Sequence, residues 1–363
     1  MRFTFRAGVP ALLAVAAALA AAAAGGASNG SKTTVVYDTF EKDGGSYTLA
    51  DYAAKWSNPY GLGEMALTDT RNFSGGTFNI SATPFRVGAD FSVFDHLKYI
   101  GISNQVFPVP AKGQITFSSE IAAQTPGTIP GLLVHGVYGP PFTWLSPYSP
   151  APPGFAPYTA PVLQGQQAGV VMNMIDFCTG QLFDWFVAGE TAFTLIERLP
   201  SNVTGNTSNP SCPGATHVGR EKMYTQIVDE VPVEPGVAHT VSIRYTAKQN
   251  VVEYFLDGLP ISRVANVGVP LDVQGVDYTG TYPSLGPGED LTGKIGAFAI
   301  GHGLFSLLDA FPFQHPEATE MSVSIPVGDS TPAGAGQARL FGQGAIGSFD
   351  DFTVTTKETP AGG

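Results

Sequence analysis

Hydrophobic and polar positions along this chain keep a rhythm that predicts strands almost throughout. Residues 114–122 alternate, with Ile115, Phe117 and Ile121 pointing one way and polar side chains the other. Period two marks a strand with one buried face. The stretch 239–264 reads as three strands, broken by a turn at 248–250 and a tight reversal at Asp257–Gly258. Residues 170–177 are mostly apolar, as expected of a central strand buried on both faces. A turn at Thr179–Gly180 leads to a strand at 182–187, and a reversal at 188–190 to another at 191–199. An edge strand at 33–40 and strands at 73–82, 90–94, 223–231, 321–326 and 347–355 complete the set. Segment 295–311 reads as a strand followed by one short helix, the best helix candidate after residue 27. Long ordered loops are expected at 126–161, 201–214 and 272–291. No period of fixed length repeats.

The first residues break this rhythm. Arg2 and Arg6 precede an Ala-rich apolar run over 7–24, and small residues follow at 25–28. Basic, then apolar, then small is the order of a secretory signal peptide, here ending near Ala27. The expected organisation is a signal at 1–27, one β-sandwich domain at 28–357 and a flexible tail at 358–363. A secreted, extracellular location follows. The net charge of −12 argues against nucleic acid or an anionic membrane as partner, because both require a basic patch. A monomer without membrane contact after signal cleavage is expected. The two cysteines, Cys178 and Cys212, are expected to form a disulfide that pins the loop between them. Sequons stand at Asn29, Asn72, Asn79, Asn202 and Asn206, with the last two placed in that loop.

Three segments carry a resemblance: IDFCTGQLFDWFVAGETAFTLIERL at 175–199, HTVSIRY…VEYFLDG within 239–258, and RLFGQGAIGSFDDFTV at 339–354. They resemble a group of exported proteins of undetermined activity with the concanavalin-A-like lectin/glucanase fold. The resemblance implies an all-β jelly-roll sandwich of two antiparallel sheets with long loops, and an extracellular glycan as partner. It implies no mechanism. The Glu-x-Asp-x-x-Glu or Glu-x-Asp-x-Glu strand of glucanases with this fold is missing from the sequence.

Candidate chemistry is therefore sought residue by residue. Cleaving a glycosidic bond takes two carboxyl groups facing one groove. Asp184 and Glu197, with Asp176 one strand earlier, are the candidate catalytic acids. By period two, Phe183, Trp185 and Val187 share one face and leave Asp184 on the other. The competing reading pairs Glu197 with a base such as Arg244 and leaves Asp184 in water. Sugar binding takes aromatic platforms beside polar groups; Tyr138, Trp144, Tyr148 and Trp185 are candidates, with core packing as the alternative. His135, Arg198 and Arg244 are candidate ligand contacts, and His302 joins them if the chemistry is that of a lyase. No cofactor is expected unless calcium sits at Asp350 and Asp351 with Asp38, where solvated strand-end acids are the alternative. Gly-x-Gly-x-x-Gly at 342–347 precedes a strand and not a helix, which excludes a nucleotide loop. A glycan binder is the first expectation. A glycoside hydrolase or polysaccharide lyase, and a surface protein without ligand, are the alternatives.

Overall fold

A computed structural model describes residues 31–57, 70–85, 97–128, 133–138, 158–163, 168–219, 221–278, 284, 286–306, 321–323 and 343–358, with backbone alone at 133–138, 158–163, 202–203 and 321–323. In chain order the strands are β1 (Lys32–Asp38), β2 (Trp56–Ser57), β3 (Thr70–Ser74), β4 (Thr77–Ala82), β5 (Leu97–Pro108) and β6 (Gly113–Gln124). Then follow β7 (Leu133–Tyr138), β8 (Tyr158–Leu163), β9 (Gly169–Asp176), β10 (Gln181–Ala188), β11 (Thr191–Arg198) and β12 (Tyr224–Pro232). The last are β13 (Ala238–Thr246), β14 (Val251–Leu256), β15 (Leu259–Val264), β16 (Ala297–Phe305), β17 (Met321–Val323) and β18 (Ala345–Glu358).

Two antiparallel sheets form the body. The first runs β15-β14-β13-β6-β18-β4-β3, and β1 lies on the β4 side of β18. The second runs β12-β11-β10-β9-β16-β5-β2. A small sheet, β17-β7-β8, stands apart. Inward residues of both sheets, among them Phe117, Ile243, Tyr254 and Phe349 from the first and Met172, Phe183, Trp185 and Phe298 from the second, meet in one core. Three polar contacts tie the layers: Trp185 Nε1 to Ser242 O at 3.1 Å, Tyr254 Oη to Leu195 O at 2.8 Å, and Thr194 Oγ1 with Ser262 Oγ at 3.0 Å. The fold is the all-β, concanavalin-A-like jelly-roll sandwich of two antiparallel sheets expected from the sequence, with first and last strands paired.

The two sequence rhythms separate the two sheets. β6 and β13 alternate in burial because the outer face of the first sheet meets water. β9 and β10 are buried at every position because the second sheet is covered on both faces. A second apolar cluster, including Val171, Ile175, Leu182, Phe186, Phe193, Leu195 and Ile227, lies on its outer face. The meander turn at Asp257–Gly258 has φ of 51° and 77°, the left-handed pair that a two-residue hairpin needs.

Some elements differ from expectation. The strand at 73–82 is a hairpin, reversed at Gly75–Gly76 in the left-handed region. Strand β5 was not anticipated, since burial on both faces erases its alternation. Helix α1 (Leu49–Lys55) was also missed, although Thr48 and Asp51 form a capping box: Asp51 N donates to Thr48 Oγ1 and Thr48 N to Asp51 Oδ2. Residues 297–305 are the strand β16, buried mid-sheet between β5 and β9; the helix expected after it lies outside the described residues, as does the strand at 90–94. The turn at 248–250 is a short 3-10 turn over 247–249 that Asn250 closes with φ of 49°. Cys178 and Cys212 are bonded as expected.

Candidate functional site

The outer face of the second sheet collects the chemistry. In β10 the inward residues are Phe183, Trp185 and Val187, so Asp184 projects outward between Leu182 and Phe186. In β11 the inward residues are Ala192 and Ile196, so Glu197 projects outward beyond Leu195. The register places Asp184 opposite Leu195 and Leu182 opposite Glu197. The two acids are diagonal neighbours on one face, with Cα atoms about 7–8 Å apart and Cβ atoms somewhat closer.

Each acid has a polar neighbour on the next strand. Asn173 of β9 pairs in register with Asp184, and its Nδ2 donates to Asp184 Oδ1. Thr225 of β12 pairs with Glu197, and its Oγ1 donates to Glu197 Oε2 at 2.8 Å. A polar diagonal thus crosses four strands inside an apolar surface. Beside it, Phe186 stacks on Phe193 with centroids 4.8 Å apart, and Phe305 meets Phe186 edge-on. Asp184 is 1% and Glu197 8% exposed, so this face is buried.

Burial sets the protonation. Loss of solvation drives the Asp184 carboxyl well above the ordinary aspartate range, and the charge of Glu197 pushes the same way against the Asn173 bond. Glu197 rises to about 7, again through burial, with Thr225 pulling it back. Among the described residues no ion pair reaches either acid. Two neighbouring carboxyls with raised proton affinities are equipped to divide acid and base roles.

The other predicted site residues do not join them. Asp176 lies at the end of β9, in step with inward Met172 and Met174. It accepts from Cys178 N at 2.9 Å and Thr179 Oγ1 at 2.6 Å, and burial raises it to about 6. It caps the β9–β10 turn rather than completing the acid pair. Trp185 is no sugar platform, because its indole fills the core between the sheets. Arg198 is buried, donating from Nε to Thr179 O and from Nη2 to Glu289 Oε2 at 2.8 Å. Arg244 pairs with Glu253 at 3.0 Å on the first sheet and covers the Phe255 ring, so it does not meet Glu197. Asp184 does not face water. His302 is buried on the inner face, its Nε2 2.8 Å from Tyr52 Oη. His135 and Tyr138 lie on β7, where only backbone is described; Trp144 and Tyr148 lie outside the described residues.

The candidate metal ligands Asp350, Asp351 and Asp38 do not gather into one cluster. Asp38 is enclosed by Tyr47 Oη, Trp56 Nε1, Lys55 Nζ and Phe40 N, which fill its acceptor positions. Asp350 accepts from Asp351 N at 2.7 Å at a break in the β18–β6 register. Among the described residues no three acids, histidines or cysteines gather to hold a metal. Of the sequons, Asn206 is fully buried, its Nδ2 donating to Cys178 O and Thr216 O, so a glycan does not fit there; Asn72 is exposed on β3.

Sequence reasoning missed Asn173 and Thr225. A lone Asn inside VVMNMID was the available signal, since a polar side chain in a strand buried on both faces needs a partner.

Solved structures similar in fold include an endo-1,3-β-glucanase from Streptomyces sioyaensis, with 12% identity, TM-score 0.38, and coverage of 93% of this chain and 100% of that one. β-Agarase B from Zobellia galactanivorans shows 8% identity and TM-score 0.39 over 90% and 94% of the two chains. An alginate lyase of polysaccharide lyase family 7 shows 8% identity and TM-score 0.34 over 82% and 85%. At such TM-scores none of them bears on what this chain does. No curated protein sequence matches it. Residues 156–358, which hold the acid pair and both of its polar neighbours, match the model of DUF6081, and the chain belongs to this family of unknown function.

Proposed function

We propose that this protein is exported and cleaves a glycan at the outer face of its second sheet, with Asp184 as general acid and Glu197 as nucleophile or base. The observation that carries the reading is the placement of two carboxyls with raised proton affinity as diagonal neighbours on one sheet face, since glycoside cleavage takes a pair of carboxyl groups. Asp184 is assigned the acid because burial and the charge of Glu197 both favour its protonated form. Its proton passes to the glycosidic oxygen as the bond to the anomeric carbon breaks. Glu197 attacks that carbon or deprotonates the water that does. Water's hydroxyl ends on the anomeric carbon and its remaining proton restores the acid. The disulfide supports an oxidising compartment and hence export.

The burial of this face favours a second reading, in which the pair is a proton-sharing structural contact and any glycan is bound elsewhere without cleavage. A reducing-sugar assay over a polysaccharide panel, run beside a glycan array, separates the two. Cleavage by the wild type that falls by about 10² or more in both Asp184→Asn and Glu197→Gln supports the first. Binding without cleavage, or cleavage that survives both substitutions, overturns it.

A further inference from the structure

Asn173 is 1% exposed, yet only one end of its carboxamide has a partner. Nδ2 engages Asp184, while Oδ1 is buried with no hydrogen bond. That free end reaches toward β16, where Asn173 pairs in register with Gly301. A Cβ on Gly301 would stand 2.8 Å from Asn173 Oδ1 and 3.0 Å from its Cβ, so the glycine makes room for the amide. A buried amide atom without a partner is destabilising, because it has given up its bond to water for nothing. Retaining it beside a carboxyl pair calls for an explanation.

An amide offers a donor at one end and an acceptor at the other. Ionised Asp184 takes the N–H end; protonated Asp184 is met by the C=O end once the amide turns over. Whichever end faces Asp184, the opposite chemistry faces β16. A sugar hydroxyl both donates and accepts, so it satisfies either orientation. We propose that Asn173 is a positioning residue whose carboxamide follows the proton of Asp184 and holds a hydroxyl of the glycan with its other end. This rests on the reading that the pair cleaves a glycan. The other titratable groups close to Asp184 are Glu197 on the same face of β11 and, through the sheet on its inner face, Tyr254 of the first sheet.

Two strand-compatible variants of similar shape test it. Asn173→Val removes both hydrogen-bonding ends; Asn173→Thr keeps one group that both donates and accepts. The first readout needs no substrate: the Asp184 carboxyl is titrated by NMR in protein labelled with ¹³C-aspartate, with Asp184→Asn identifying the signal. In Asn173→Val the titration should rise by about one pH unit or more, because the carboxylate loses its donor, and Asn173→Thr should restore part of it. The second readout is the pH profile of kcat on a cleaved polysaccharide, whose alkaline limb should move with the titration in Asn173→Val. An Asp184 titration unchanged in Asn173→Val overturns the proposal. So does a shifted titration with a wild-type kcat profile on a substrate that is cleaved. If the titration shifts and no polysaccharide is cleaved by the wild type, the cleavage reading fails and the hydroxyl contact with it, while the coupling of amide to proton stands.

Discussion

Replacing Glu197 by Gln should make the protein more stable at alkaline pH and leave it nearly unchanged in acid. The side chain is buried, accepts from Thr225 Oγ1, and has no cation beside it among the described residues. Its folded-state affinity for a proton lies at about 7 against an ordinary value of 4.5. The folded state therefore binds a proton that the unfolded chain releases. Stability from this group is fully present below pH 4.5 and is lost as pH rises through 7. A difference of roughly 2.5 pH units corresponds to about 3 kcal/mol. Glutamine keeps an acceptor for Thr225 and never ionises. It also removes the charge that raises Asp184. Urea unfolding at pH 4.5 and pH 8.5 is the assay. At pH 4.5 the two proteins should agree within about 1 kcal/mol; at pH 8.5 the variant should be ahead by about 3 kcal/mol. Equal differences at both pH values, or a less stable variant at pH 8.5, would show that Glu197 is ionised and compensated in the folded state, and the reasoning would fall. If Glu197 also takes part in bond cleavage, the same variant gains stability while losing activity.

Other outcomes follow from the same structure. His302 behaves oppositely to Glu197: burial pushes its imidazole from 6.5 down to about 3, so its contribution is complete above pH 6.5 and is lost as pH falls toward 3. His302→Gln, which keeps an acceptor for Tyr52, should reduce the acid destabilisation by up to roughly 4–5 kcal/mol, read from urea melts between pH 7 and pH 3. At Gly101 an added Cβ would stand 2.6 Å from His302 Nε2 and overlap Tyr52 Oη, so Gly101→Ala should lower stability by about 1–3 kcal/mol in a melt at pH 7; an unchanged midpoint would mean that α1 moves aside freely. Opening the disulfide as Cys178→Ser with Cys212→Ser releases a loop with a sequence separation of 34 and should destabilise by about 3–4 kcal/mol, checked by melts of the variant against the oxidised protein.

How far the sequence alone reached can be followed residue by residue. Period two in 114–122 put Ile115, Phe117 and Ile121 on one face, and that face is the inner one, because a strand sends alternate side chains to opposite sides. The same parity put Asp184 opposite in direction to Trp185, and an even count of cysteines in a chain read as exported put Cys178 and Cys212 in one bridge. It did not decide what Asp184 or Glu197 would meet. Parity is local, whereas register belongs to the pairing of strands distant in sequence. Only the alignment of β10 with β11 made the two acids diagonal neighbours, and only β9 and β12 supplied Asn173 and Thr225. Trp185 and Arg198 show the same boundary from the other side. An indole or a guanidinium reads equally well as a surface ligand contact, and the second layer turned both into buried structure. Protonation lies furthest from the sequence. A carboxyl responds to the solvent and charge around it, and both are set by which chain segments close over the sheet.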